Sequence, residues 1–129
     1  MFKSTQKSLS VYRGDIYYIK GGKIKTMGSE QSGNRPGIII SNAYCNKYSE
    51  VFGIIYLTTK NKTWLPTHVK INSSKISPSL ALCEEIYSVS VYRLGNFMGR
   101  VTEKELEEIE RAILVSVGLD QRIRLSDYY

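Results

Sequence analysis

Two short, continuous apolar runs constrain the fold more than any other feature of this sequence. Residues 38–42 read IIISN and residues 51–59 read VFGIIYLTT, and both runs are rich in β-branched and aromatic side chains. Runs of this length and composition predict buried β-strands, because helices are usually longer. Residues 43–50, which separate the two runs, are predicted to be a connection.

Further strands are predicted on both sides of this pair. Residues 15–20 and 67–71 alternate between apolar and polar side chains, as half-buried strands do. Residues 80–91 predict a longer strand that bends near Ser88, and residues 96–101 predict a short strand or turn. Five or six short strands with little helix between them indicate a small, strongly bent barrel.

One helix follows the predicted strands. Thr102 and Glu105 form the T-x-x-E pattern of a capping box, which marks a helix start. Gly118 is suited to end the helix, with Leu119 as the apolar contact after it. Apolar side chains at helical spacing form one face: Leu106, Ile109, Ile113 and Val117. The predicted class is therefore mainly β with a C-terminal helix.

Charge is distributed unevenly along the chain. The net charge is +6, but residues 1–75 hold twelve Lys or Arg and three acidic side chains, a local net of +9. Residues 76–129 hold six basic and nine acidic side chains, a net of −3. This asymmetry predicts a region that faces a polyanion, and nucleic acid is the commonest one. A basic surface that serves only solubility is the alternative.

The sequence predicts neither a membrane-spanning helix nor a metal site. No apolar run approaches the roughly 20 residues that a membrane helix needs, and no signal peptide is predicted. Cys45 and Cys83 are the only cysteines and His68 is the only histidine, too few and too scattered for a metal site. Two reduced thiols in a cytoplasmic protein are the expected arrangement, with no metal and no cofactor.

Arg35 stands where a glycine-rich loop turns into the first buried strand. Because Pro36 follows it, Arg35 is predicted to be extended, with its side chain projecting from the strand end. A guanidinium fixed there could bind a phosphate through two hydrogen bonds. A surface arginine beside a turn is the alternative. His68 could transfer protons near neutral pH, but a structural or merely exposed histidine explains it equally well.

Five segments stand in a distinctive order: RGDIYY, GSEQSGNRPGIIISN, IIYLTT, LPTHVKI and, at the end of the helix, SVGL. Their order and spacing resemble the MazF/PemK family, the toxins of type II toxin–antitoxin pairs. The resemblance covers residues 11–119, so residues 1–10 are predicted to be an N-terminal extension and residues 120–129 a C-terminal tail. It implies an SH3-like or CcdB-like small barrel and a homodimer.

The resemblance also implies an activity and the residues that perform it. Such proteins are metal-independent endoribonucleases that cut single-stranded RNA, especially mRNA, and a cognate antitoxin with an acidic, flexible segment neutralises them. The implied catalytic pair is Arg35 and Thr58, which stands 23 positions later at the end of the second apolar run. The implied RNA-binding residues are Gly28, Ser29, Glu30 and Gln31 in a mobile loop, with Lys60, Lys62 and His68.

One segment departs from the family pattern. Relatives commonly carry EQIRT before the helix, whereas this chain carries EEIYS at residues 84–88, with Glu85 for the glutamine and Tyr87 for the arginine. Base contacts or dimer packing there are expected to differ. Two non-catalytic functions remain as alternatives: a CcdB-like topoisomerase inhibitor and an SH3-like RNA-binding module. Neither function requires the pair of Arg35 and Thr58.

Overall fold

Six strands and two α-helices occupy the described part of the chain. The computed structural model describes residues 10–21, 34–60, 64–76 and 78–120. The strands are β1 (Asp15–Ile19), β2 (Arg35–Ile39), β3 (Val51–Thr58), β4 (His68–Ile71), β5 (Ser79–Ser90) and β6 (Leu94–Arg100). The helices are α1 (Ala43–Tyr48) and α2 (Glu103–Ser116), and a 3₁₀ turn covers Val91–Arg93.

The strands form one antiparallel sheet in the order β4-β5-β3-β2-β1-β6. Near the two edges of this sheet, Ser74 after β4 forms an isolated bridge with Gly99 of β6. The backbone N–H of Lys75 also donates to the carbonyl of Met98, at 3.3 Å. The predicted class, mainly β with a C-terminal helix, is confirmed, and the sheet is a partly open version of the predicted barrel.

Both faces of the central strands are buried, which explains why their sequences are continuously apolar. Successive side chains of a strand point to opposite faces. Ile38 and Ile55 belong to the core that α2 covers, whereas their neighbours Ile39 and Ile54 belong to a second core on the other face. All four side chains have no exposed surface. The site described below lies on the face of the second core.

Helix α2 begins and ends as its sequence predicts. The Thr102 hydroxyl accepts the Glu105 N–H, and the Glu105 carboxylate accepts the Thr102 N–H. At the other end Gly118 has a φ of +78°, and the N–H of Leu119 donates to the Leu114 carbonyl. The predicted contact of Leu119 is wrong, because 71% of this residue is exposed.

The buried face of α2 contains three of the four predicted residues, because Ile109 lies in the core and Leu106 and Ile113 pack against it. Val117 is the exception and is 52% exposed. Ala112 and Val115 are also buried and widen this face beyond the predicted residues. Among the described residues, no helix is long and apolar enough to cross a membrane.

Three other predictions need correction. Residues 43–48 form helix α1 rather than a simple connection, because the Asn42 side chain caps it by accepting the Cys45 N–H. Strand β2 begins at Arg35 and ends at Ile39, so it starts three residues earlier than predicted. The irregularity of β5 lies before Ile86 rather than near Ser88.

Candidate functional site

Arg35 and Thr58 lie at matching positions of neighbouring strands. Arg35 is the first residue of β2 and pairs with Ile19 of β1. On its other side β2 pairs with β3, and Gly37 stands opposite Tyr56. Arg35 and Thr58, the last residue of β3, each lie two residues beyond this pair at the same end of the two strands. Residues two positions apart on a strand point to the same face, so Arg35 and Thr58 share the face of Tyr56.

The guanidinium of Arg35 is held by groups from two other strands. Its Cζ lies 4.2 Å from the centroid of the Tyr56 ring, an arrangement that attracts a cation to the ring face. Its Nη2 lies 3.8 Å from Oε1 of Glu85. The Tyr87 ring packs against that of Tyr56, with centroids 5.2 Å apart. The Arg35 side chain is 21% exposed, so its position is largely set before any ligand arrives.

A bulge in β5 brings Glu85 to this face. Between the pairs Leu57–Ala81 and Ile55–Ile86, β3 advances by two residues while β5 advances by five. Strand β5 therefore contains three extra residues. Because side chains alternate between faces, an odd number of extra residues places every later side chain of β5 on the face opposite to that expected for a regular strand. Glu85 consequently shares the face of Arg35. Bulges of this kind often re-aim a side chain beside an active site.

The Thr58 hydroxyl has a defined role in the local backbone. Its Oγ1 accepts the backbone N–H of Lys60 at 3.1 Å, which turns the chain as β3 ends. Since the oxygen already accepts one hydrogen bond, its own O–H can point outward and donate. Lys60 is exposed and stands next to this turn, as its predicted role in RNA binding requires.

His68 lies inside the protein. Its side chain is 2% exposed, and its Nε2 is 3.0 Å from Oε2 of Glu84, whose other oxygen accepts the Thr67 hydroxyl at 2.7 Å. Burial alone would raise the pKa of Glu84. The hydrogen bonds from Thr67, from the backbone and from His68 outweigh this effect and hold that pKa below its ordinary value. Direct RNA contact by His68 stays a prediction and would require the ring to leave its buried position.

Five of the seven predicted RNA-binding residues lie outside the described residues: Gly28, Ser29, Glu30, Gln31 and Lys62. No three His, Cys, Asp or Glu side chains in the described ranges are grouped so that they could hold a metal ion.

Sequence reasoning missed the surroundings of Arg35. In the sequence Tyr56 is one residue of an apolar run, and no local pattern predicts the contact of Glu85 with Arg35. The departure from the family pattern at residues 84–88 was the available signal, since it contains both Glu85 and Tyr87. Strand pairing was needed to connect that segment with a residue fifty positions earlier.

Comparison with known proteins identifies the family. Residues 12–117 match the family described as PemK-like, MazF-like toxin of type II toxin–antitoxin system. The endoribonuclease MazF of Staphylococcus saprophyticus is 37% identical over 111 residues, which span 83% of this chain and 91% of that protein.

Solved structures agree in fold. An endoribonuclease from a mycobacterial species, determined in complex with its cognate antitoxin, is 25% identical with a TM-score of 0.72, covering 86% of this chain and 98% of that one. A crystal structure of MazF from Deinococcus radiodurans is 18% identical with a TM-score of 0.71, covering 86% and 99%. These matches confirm the resemblance predicted from the motifs. The chain belongs to the PemK-like, MazF-like family of toxins of type II toxin–antitoxin systems.

Proposed function

We propose that this toxin is an endoribonuclease that cuts single-stranded RNA without a metal ion, with Arg35 and Thr58 at the scissile phosphate. Membership of an endoribonuclease toxin family favours this activity over a CcdB-like topoisomerase inhibitor or a non-catalytic RNA-binding module. The observation that carries the site assignment is the position of Arg35, which is stacked on Tyr56 at the same end of the sheet as Thr58.

The reaction uses the RNA itself as the nucleophile. The 2′-oxygen attacks the neighbouring phosphorus and loses its proton, and the bond from phosphorus to the 5′-oxygen breaks. The products are a 2′,3′-cyclic phosphate and a 5′-hydroxyl, whose oxygen gains a proton. DNA lacks the 2′-hydroxyl and is therefore not a substrate.

Arg35 stabilises the negative charge that gathers on the phosphate oxygens during this step. A donor that is already oriented contributes more than a mobile one, because no reorganisation is needed at the moment of reaction. Stacking on Tyr56 and partial burial give Arg35 that orientation. Arg35 can also supply the proton to the leaving oxygen, although a guanidinium gives up a proton reluctantly.

Thr58 acts as a hydrogen-bond donor rather than as a base. A hydroxyl is too weakly basic to remove the 2′-proton alone. Its oxygen already accepts the Lys60 N–H, which leaves its O–H for a non-bridging phosphate oxygen or for the 2′-oxygen. Lys60 supports the RNA beside it.

The partners follow from the same assignment. The toxin domain is residues 11–119, acts as a homodimer on mRNA in the cytoplasm, and is silenced by a cognate antitoxin. The mycobacterial relative was determined with its antitoxin bound. An acidic, flexible antitoxin segment suits a region of net charge +9, because opposite charges speed the encounter.

Two alanine substitutions test the site. Arg35→Ala and Thr58→Ala should each lower the cleavage rate about a hundredfold or more, the typical cost of losing one oriented donor. Cleavage of an RNA with a mapped cut site is followed by gel, and circular dichroism and size-exclusion chromatography check fold and dimer. Arg111→Ala, at an exposed position of α2, is the matched control.

The same assay compares the contribution of His68 to cleavage with that of Arg35. His68→Ala should cost much less activity than Arg35→Ala and should mainly lower stability, because the ring is buried against Glu84. Wild-type rates in Arg35→Ala or Thr58→Ala would refute the site assignment. A loss in His68→Ala as deep as that in Arg35→Ala, with an intact fold, would return the histidine to the mechanism.

A further inference from the structure

A small open pocket lies directly beside Thr58, where β3 ends and β5 begins. Its volume is about 160 Å³, and its walls include Thr58, Lys60, Lys70, Ser79 and Leu80. Pockets for drug-sized molecules usually measure about 300–1,000 Å³. This one therefore suits a small polar group rather than a whole nucleotide.

The chemistry of the walls favours an anion. Both ionisable side chains among the described lining residues are lysines, Lys60 and Lys70, and no carboxylate is among them. The Ser79 side chain takes no part in this site, because Ser79 pairs with Ile71 of the buried core and so faces the other side of the sheet from Lys70 and Leu80. The two lysine ammonium groups are donors for a phosphate.

The sheet places this pocket in line with the proposed catalytic pair. Leu80 of β5 stands opposite Thr58 on one side and opposite Lys70 of β4 on the other. Thr58, Leu80 and Lys70 therefore form a row across three strands, and Arg35 begins the strand next to Thr58. Neighbouring strands are about 4.8 Å apart, so the Lys70 backbone lies about 10 Å from that of Thr58. The long lysine side chain can cover much of this distance.

We propose that this pocket binds the backbone phosphate next to the scissile one, with Lys70 as the specific contact and Lys60 at its rim. The proposal rests on the ribonuclease function proposed above. Thr58 belongs to both the pocket and the scissile site, so an RNA strand held at Arg35 crosses the pocket with its neighbouring phosphate. A carboxylate from an acidic protein partner is the competing occupant, and the experiment separates the two.

The test combines protein variants with neutral linkages in the RNA. The probe is an RNA carrying a mapped cut site, made uncleavable by a 2′-hydrogen there. A set of probes carries one uncharged methylphosphonate at each successive linkage around the cut. Dissociation constants are measured for the wild type and Lys70→Met, with Lys75→Met as the control because Lys75 is an exposed lysine outside the pocket.

The proposal predicts a specific coupling. With the wild type, a methylphosphonate at one linkage adjacent to the cut should weaken binding, and Lys70→Met should abolish that penalty while leaving the penalties at other linkages. The plot of log K against log salt should become shallower by about 0.7, the value for one phosphate contact on a single strand. The deficit of Lys70→Met relative to the wild type should therefore shrink about 2.6-fold between 50 and 200 mM salt.

Three results would overturn this subsite, and each is distinct from failure of the ribonuclease function. Lys70→Met could bind every probe as tightly as the wild type, or it could lose affinity by the same factor for all probes. It could also bind RNA normally but bind the antitoxin more weakly, which would assign the pocket to a carboxylate. In each case the wild type would still cleave the unmodified RNA, so the proposed ribonuclease function would be unaffected. If the wild type cleaves no RNA, the proposed function itself fails.

Discussion

The contact between Arg35 and Glu85 predicts that removing one negative charge strengthens RNA binding. Glu85 Oε1 lies 3.8 Å from Arg35 Nη2, on the same face of the sheet as the site proposed for the scissile phosphate. A bound phosphate and the carboxylate would then share one guanidinium and repel each other. Glu85→Gln keeps the shape of the side chain, removes its charge and restores the residue that relatives commonly carry.

The geometry sets the size of the effect. A phosphate on the far side of the guanidinium would lie about 7 Å from the carboxylate, given hydrogen bonds of about 2.8 Å. Two unit charges at that distance repel by about 0.6 kcal/mol in bulk water and about 2.4 kcal/mol at an effective dielectric constant of 20. The Arg35 and Glu85 side chains are 21% and 30% exposed, so an intermediate value of about 1 kcal/mol applies. This corresponds to about fivefold tighter binding in Glu85→Gln.

The measurement is the dissociation constant of the uncleavable RNA at several salt concentrations, followed by fluorescence anisotropy. Glu85→Gln should bind about fivefold more tightly at low salt, and the gain should decline as salt screens the repulsion. Glu107→Gln removes a charge from an exposed position of α2 and is the matched control. It should bind as the wild type does.

Two outcomes would refute this reasoning. Weaker binding in Glu85→Gln would mean that the carboxylate contacts the RNA, for example by accepting a hydrogen bond from a base. Unchanged binding with a cleavage rate reduced tenfold or more would place Glu85 in the chemical step.

Three further predictions use other properties of the molecule. Cleavage should persist in excess EDTA and leave a cyclic or 3′ phosphate with a free 5′-hydroxyl, which mass spectrometry of the products checks. A 2′-hydrogen at the cut site should block the reaction. Cleavage of the deoxy-substituted RNA would exclude 2′-hydroxyl attack. Antitoxin should compete with the uncleavable RNA and associate more slowly as salt rises; independent binding of both in a titration would disprove occlusion. Burial alone would raise the pKa of the Glu105 carboxylate, but hydrogen bonds from Asn72, Ser73 and Thr102 outweigh this effect and hold that pKa below the ordinary 4.5. The contribution of Glu105 to stability should therefore be present above pH 4.5 and be lost as the pH falls through the lowered pKa. Glu105→Gln should flatten this acid-dependent fall in melting temperature, and an unchanged pH profile would contradict the assignment.

The sequence by itself determined the features that depend on neighbouring residues. The capping box of α2 uses Thr102 and Glu105, three positions apart, and both hydrogen bonds are present in the structure. The continuously apolar runs indicated strands buried on both faces, because only such strands need apolar side chains at successive positions. The order of the motifs also identified the family, and with it Arg35 and Thr58 as candidates.

Only the tertiary structure decided what surrounds those candidates. Glu85 reaches Arg35 because a bulge in β5 reverses the alternation of its side chains. No local sequence pattern predicts this bulge. Lys70 lies two strands from Thr58, across Leu80, because β5 pairs with both β3 and β4. These arrangements bring together residues that are 12 to 50 positions apart, so they depend on strand order and register. Register is set by how the whole sheet buries its two faces, which no single segment of the chain specifies.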